Sequence, residues 1–200
     1  MRIAILGAGN VGGGLARAFA AVGHDVVFGV RDPGSAKTLE SLAMMPDASA
    51  MTPPLAVAGA DIVVFALRPT GIAPTVAEIG SLDGRIVIDA MNRFDGDPVR
   101  STTQDLVALL PGAKIAKAFN TIGAENYETA AGRTVKAAMF VAGDDADAKK
   151  AAMDLAAEVG FVPEDAGGLA NAKVLEDMVR VWVALSGTHG RTVGFAISPG

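Results

Sequence analysis

The run Arg2-Ile3-Ala4-Ile5-Leu6 followed by Gly7-Ala8-Gly9-Asn10-Val11-Gly12 decides the reading of this chain. The first five residues, short and mostly apolar, predict a strand. The complete GxGxxG directly behind them predicts a tight turn into a helix that begins near Val11 and carries Leu15-Ala16-Arg17-Ala18-Phe19. Each glycine has a separate task. Gly7 permits the turn, Gly9 lets backbone approach a pyrophosphate with no side chain between, and Gly12 lets the helix lie close on the strand. The N–H groups of the first helical turn and the helix dipole then favour an anion. A glycine turn so placed implies a bound dinucleotide.

Working outward, short apolar runs alternate with helix-like segments to the end of the chain, the pattern of a parallel sheet covered by helices. Strands are expected near residues 2–6, 25–30, 61–67, 85–90, 114–118, 137–142 and 160–163, with a shorter one near 48–51. Helices are expected near 11–22, 34–44, 71–79, 102–110, 146–158 and 169–186. The Pro-bearing pieces Met51-Thr52-Pro53-Pro54 and Arg68-Pro69-Thr70-Gly71 read as loops. The fold class is therefore α/β, a Rossmann-type doubly wound, mainly parallel sheet with a C-terminal helix. Residues 1–200 read as one dinucleotide-binding domain, 168–200 being the helix and tail. That helix carries Val174, Met178, Val181, Trp182 and Leu185 at helical spacing, widened by Leu175 and Val179. The stripe suits packing on the chain's own sheet or a homodimer interface.

Composition narrows the function. No apolar stretch approaches the roughly 18 to 20 residues of a membrane helix, and the N-terminus reads as a strand rather than a signal peptide. Without cysteine there is no disulfide, thiolate metal site or cysteine nucleophile, which fits a cytoplasmic protein. A net charge of −5 with no basic run argues against nucleic acid. Asp144, Asp145 and Asp147 precede an alanine-rich helix and suit an N-cap and first-turn charges better than a metal; no metal is expected.

The end of the second strand should meet the adenosine ribose, where an acid selects NAD and a cation NADP. The residues there are Gly29-Val30-Arg31-Asp32. Arg31 can fork onto a 2′-phosphate, with Lys37 a second partner, and the contact would be worth about 1.5 to 3 kcal/mol. Asp32 reads with Pro33-Gly34-Ser35 as turn and cap chemistry. NADP is the expected cofactor.

Several spaced segments resemble a family. Gly7 to Gly12, Gly23-His24-Asp25-Val26, Lys117-Ala118-Phe119-Asn120-Thr121-Ile122-Gly123, Val141-Ala142-Gly143-Asp144-Asp145 and Asp165-Ala166-Gly167-Gly168-Leu169 leading to Leu175-Glu176 are similar to the NADPH-dependent F-420 reductases and the related reductase domain of the STEAP metalloreductases. The resemblance implies hydride transfer between NADPH and a flavin-like small-molecule acceptor. It implies Ala8 to Val11 on the pyrophosphate, Val30 and Arg31 at the 2′-phosphate, and Leu67, Arg68 and Pro69 at the strand that ends under the nicotinamide half. It also implies an acceptor pocket near Asn92, Asn120 and Ile122. The deazaflavin-using archaeal enzymes tend to carry His-Thr and a Pro where this chain has Asn120-Thr121-Ile122-Gly123, which leaves F-420, FMN and FAD open as acceptors.

A carbonyl or imine reductase would need a committed acid at the nascent alkoxide or amine. Tyr127 reads as packing, His24 as a surface turn residue, and His189 as following the last helix. Lys173 and Glu176 read as a helix-surface pair, and Asp89 as a cap for the Met91-Asn92-Arg93 loop or a ligand at the sheet's carboxyl edge. Such a reductase, or an NADP-sensing module without turnover, is the alternative.

Overall fold

The computed structural model describes residues 1–45, 47–94, 97 and 99–198. Eight strands lie in the order β3-β2-β1-β4-β5-β6-β7-β8. They are β1 Arg2–Leu6, β2 Asp25–Gly29, β3 Ser49–Met51, β4 Ile62–Phe65, β5 Ile86–Asp89, β6 Lys114–Lys117, β7 Ala138–Gly143 and β8 Val162–Asp165. All neighbours are parallel except β6 and β7. The helices are α1 Asn10–Ala21, α2 Ala36–Ala43, α3 Pro53–Ala58, α4 Ile72–Ile79, α5 Thr102–Leu109, α6 Ala146–Glu158 and α7 Ala172–His189.

The strands carry their pattern on both faces. Ile3, Ile5, Val26, Phe28, Ile62 and Val64 join one core with Leu15 and Phe19 of α1 and Leu155 of α6. The alternate residues Ala4, Leu6, Val27, Val63 and Phe65 join a second core with Ala56, Ile72, Val76 and Leu106 of α3 to α5. A sheet buried on both sides reads as continuous apolar runs, as these strands do. Their carboxyl ends are aligned, since Met51 pairs with Gly29, Gly29 with Leu6, Leu6 with Phe65, Phe65 with Asp89 and Asp89 with Lys117. One edge thereby collects the loops that follow β1 to β6.

Three expectations are corrected. The piece 51–54 is not all loop, because Pro53 and Pro54 occupy the first two positions of α3, where a missing N–H costs nothing and φ is already helical. The last strand is Val162–Asp165 rather than 160–163, since Gly160 has φ +101 and ends the connection from α6. In α7 the buried positions are Ala172, Leu175, Glu176, Val179 and Trp182, whereas Val174 and Val181 are exposed. The stripe is rotated from the one expected because a glutamate lies in it.

The tail returns along α7. Trp182 Nε1 donates to Val193 O (2.7 Å), Arg191 lies 5.1 Å over the indole, and Arg191 Nε donates to Glu125 Oε1 (2.5 Å). The Arg191 hydrogen bond holds the Glu125 carboxyl below its ordinary 4.5, partly opposed by desolvation. A lowered carboxylate stabilises the fold above its unfolded value and loses that contribution as pH falls through the folded one. Trp182 fluorescence should therefore stay flat from pH 8 to about 4.5 and change only at lower pH. Glu125→Gln should remove that acid step; a variant that titrates like the parent would refute the assignment.

Candidate functional site

Side chains cap the starts of α2, α5 and α6: Ser35 accepts from Thr38 N, Ser101 and Gln104 form a capping box, and Asp145 accepts from Ala148 N. The start of α1, like those of α3, α4 and α7, has no such cap. Its N-cap is Gly9, with no side-chain hydrogen bond and no acidic residue in the first turn. Gly7 has φ +110, which glycine tolerates and L side chains rarely adopt. A Cβ on Gly12 would overlap the Gly7 carbonyl oxygen, so Gly12 brings α1 against the turn. At Gly9 a Cβ would meet only Lys37 Nζ, at 3.8 Å. The cleft beside this turn, about 550 Å³, is lined by Ala8, Gly9, Asn10, Lys37, Ser41 and Glu125 among others. Backbone N–H groups, an open approach at Gly9 and a nearby ammonium fit a pyrophosphate.

At the end of β2, Val30 N donates to Met51 O (3.0 Å) and the chain turns outward. Arg31 is exposed and makes no hydrogen bond or ion pair among the described residues. Asp32 Oδ1 accepts from Gly34 N (3.0 Å), the turn role expected of it. Leu67 lies against the turn, its Cδ2 3.1 Å from where a Cβ on Gly7 would stand, and Pro69 opens a short 3₁₀ turn with Arg68, exposed, as its cap.

Under the far half of the edge is a buried charged cluster. Asp89 ends β5, Lys117 ends β6 and Glu176 comes from α7; each is at most 3% exposed. Lys117 Nζ donates to Glu176 Oε1 (2.8 Å), Asp89 Oδ2 (3.1 Å) and Met91 O (2.6 Å) and lies 3.0 Å from Thr102 Oγ1. Thr103 Oγ1 donates to Asp89 Oδ2 (2.7 Å), and Thr102 N to Glu176 Oε1 (2.8 Å). Asp89 Oδ1 accepts from Met91 N (2.9 Å), as its expected cap role requires. The Lys173 and Glu176 surface pair is overturned. Lys173 instead bonds Asp177 (2.5 Å), four residues on, while Glu176 faces inward.

Asn92 and Asn120 meet next to this cluster. Asn92 Nδ2 donates to Asn120 O (2.8 Å), and Asn120 Nδ2 donates to Asn92 Oδ1 (2.9 Å) and Leu175 O (3.0 Å). Ile122 is buried in the core that also holds Phe119, Tyr127 and Trp182, with its Cδ1 toward Gly194 of the tail. Tyr127 packs in the core as expected. Its hydroxyl donates to Phe119 O (2.5 Å), and burial pushes the phenol up, so it keeps its proton. His24 Nε2 pairs with Glu158 (2.7 Å) in the turn before β2, and His189 is the last, exposed residue of α7 rather than following it. Asp145 and Asp147 serve α6 as expected, while Asp144 caps Leu169 N (2.9 Å); no metal-holding acidic or His cluster exists among the described residues.

With this geometry in view, the model of the family "NADP oxidoreductase coenzyme F420-dependent" matches residues 2–93. The F420-dependent NADP reductase of Methanothermobacter thermautotrophicus is 32% identical over 209 residues, covering 93% of this chain and 89% of that one. The chain belongs to the F420-dependent NADP reductase family. The crystal structure of a candidate F420-dependent NADP-reductase from Arthrobacter sp. FB24 superposes with a TM-score of 0.88 at 28% identity, covering 98% of this chain and 99% of its own. Metalloreductase STEAP3 of Rattus norvegicus is 28% identical over 179 residues, 88% of this chain but only 36% of that protein. This chain thus spans about a third of STEAP3 and nearly all of the archaeal reductase. No helix among the described residues is long and apolar enough to cross a membrane.

Within the family frame, the structure gathers Gly7 to Gly12, Lys37 and Leu67 at one turn and Asn92 with Asn120 at another. Lys117, Thr102 and Glu176 escaped the sequence reading as a group. The available signal was Lys117 interrupting the apolar run Ile115-Ala116-Lys117-Ala118-Phe119, a charge that a core position admits only with partners.

Proposed function

We propose that this chain transfers a hydride between NADPH and a flat, flavin-like acceptor, F-420, FMN or FAD. For the cofactor, the support is the uncapped start of α1 behind Gly7 and Gly9, with Lys37 beside it and Arg31 unpaired at the end of β2. Gly7, Ala8, Gly9, Asn10, Val11 and Gly12 would hold the pyrophosphate, Val30, Arg31 and Lys37 the 2′-phosphate side. Leu67, Arg68, Pro69 and Asn120 would border the nicotinamide half.

One observation carries the acceptor class. Among the described residues, Tyr127 and Lys117, which lie near this edge and could protonate an alkoxide, are both buried and committed to hydrogen bonds inside the protein. A ring acceptor needs neither, because bound NADPH would supply a hydride, two electrons and one hydrogen nucleus, while the reduced ring takes its second proton from solvent. The protein's part is then to hold two rings at reacting distance, and positioning of that kind supplies most of the rate. Asn92, Asn120 and Ile122 are the positioning residues proposed for the acceptor side. We also propose a single domain over residues 1–200, a cytoplasmic location, and a homodimer through the exposed Val174 and Val181 side of α7.

The test is an absorbance assay of the pure protein with NADPH and F-420, FMN or FAD. Oxidation with at least one acceptor is expected; tight NADPH binding with no oxidation by any of the three would favour a sensor and overturn the reductase reading. Arg31→Ser should raise the Kd for NADPH by about tenfold or more, the worth of one charge-assisted phosphate contact, and leave NADH unchanged. Equal losses for both nucleotides would remove Arg31 from the 2′-phosphate.

A further inference from the structure

The backbone on either side of Asn92 is gripped by buried charges. Asp89 Oδ1 takes the Met91 N–H (2.9 Å), Lys117 Nζ takes the Met91 carbonyl (2.6 Å), and Glu176 Oε2 takes the Arg93 N–H (3.1 Å). The place of Asn92 is therefore set through both neighbours. Asn92 in turn clamps Asn120, and Asn120 is also tied to the carbonyl of Leu175, the residue before Glu176. The loops after β5 and β6 and the first turns of α7 form one polar assembly.

That assembly keeps two costly features. Phe119 has φ +62, a left-handed conformation rare for a side chain of this size. Asn120 Oδ1 and Thr121 Oγ1 are buried without a hydrogen-bond partner among the described residues, a state disfavoured in protein interiors. Strain and unpaired polar atoms persist where the surroundings over-determine them, and they gather at functional sites. Here the over-determination is visible: every carboxylate oxygen of Asp89 and Glu176 accepts from N–H or O–H donors on β6, α5 or the 91–93 loop.

We infer that Asp89, Lys117 and Glu176, bridged by the Thr102 hydroxyl, are positioning residues that hold the Asn92–Asn120 pair in place for the nicotinamide and acceptor half of the site. The inference rests on the placement of that half given above. The cluster touches neither ring. It acts by fixing two loops, so its loss should spare the adenosine end of the cofactor and disturb the reacting end.

The experiment compares 2′,5′-ADP with NADPH in calorimetry and measures turnover with F-420, FMN and FAD. The variants are Glu176→Gln, Thr102→Val and Thr102→Ser. Thr102 Oγ1 lies 2.8 Å from Asp89 Oδ2 and 2.7 Å from Glu176 Oε1, and valine keeps its shape without the hydroxyl. For Glu176→Gln and Thr102→Val, the Kd of 2′,5′-ADP should stay within about twofold, that of NADPH should rise at least about threefold, and kcat should fall about tenfold or more with a smaller change in acceptor KM. Thr102→Ser should restore all three. Leu155→Ala, in the core under α6, supplies a comparably destabilised control in which the NADPH and 2′,5′-ADP affinities keep their parental ratio. Should Glu176→Gln fail to fold, the Thr102 pair decides. Folded variants with parental NADPH affinity and kcat would overturn the inference, as would Leu155→Ala reproducing the split or Thr102→Ser failing to rescue. A parent protein that oxidises NADPH with none of F-420, FMN and FAD would sink the acceptor proposal alone, because the NADPH against 2′,5′-ADP comparison needs no acceptor.

Discussion

Lys117→Met should cost about 3 to 5 kcal/mol of folding stability, the range found when one partner of a buried ion pair is removed. In a chain of this size that lowers Tm by roughly 6 to 20 °C. The ammonium is fully buried and lies between the Asp89 and Glu176 carboxylates, at 3.1 and 2.8 Å. Methionine matches the stem of lysine, so the lost volume is small and the loss is electrostatic. Two carboxylates would remain out of water with only hydroxyl and amide donors to hold them, and Met91 O would lose its donor. Adding Glu176→Gln to Lys117→Met should recover part of the loss, since one buried charge fewer then lacks a counter-ion. Urea denaturation of the parent, the single and the double variants checks both points. A single-variant loss under about 1 kcal/mol would mean that water or another cation takes the place of the ammonium, and the cluster would not hold the loops as described.

How much of this was legible beforehand differs by element. The first strand and α1 follow from Arg2 to Gly12 because glycine spacing, apolar run and helix start all agree, and that consistency across levels is what makes a local reading safe. Asp32 was readable as a turn residue from Pro33-Gly34 beside it. α3 was missed because two prolines read as interruption, although the first helical turn is the one place a helix accepts them. Glu176 was missed for a different reason. Lys173 three residues before it offers an ion pair at helical spacing, so local chemistry seemed complete. The partners that bury Glu176 lie at Lys117 and Thr102, 59 and 74 residues away, and no periodicity within α7 encodes them. Its position four residues after Ala172 and three before Val179 was the sole local hint of an inward face. Likewise, the left-handed Phe119 carries no signature, since the sequence supplies neither Gly nor Asn at that position.

Gly12→Ala and Gly9→Ala should separate the two jobs of the opening turn. At Gly12 an added Cβ would overlap the Gly7 carbonyl oxygen and come within 3.0 Å of Gly7 C and 3.3 Å of Ile5 Cγ2. The first two are backbone atoms of the turn itself, so no side chain can rotate away. Alanine gains about 1 kcal/mol of helix propensity over glycine, but overpacking against a fixed neighbour costs about 1 to 3 kcal/mol and sometimes more. The clash wins where the neighbour is backbone. α1 must draw back from β1, which should lower Tm by several degrees, roughly 2 °C or more per kcal/mol, and weaken NADPH binding by about a hundredfold or more as its N–H groups leave the phosphate. Gly9 has φ −81 and ψ −169, values alanine adopts freely, and its Cβ would meet nothing nearer than Lys37 Nζ at 3.8 Å. Gly9→Ala should therefore keep the parental Tm and still lose NADPH affinity, because the methyl group would stand between the backbone and the pyrophosphate. Thermal denaturation with and without NADPH measures both effects in one titration. If Gly9→Ala binds NADPH like the parent, the pyrophosphate does not lie against Gly9, and the turn's role shrinks to joining β1 with α1.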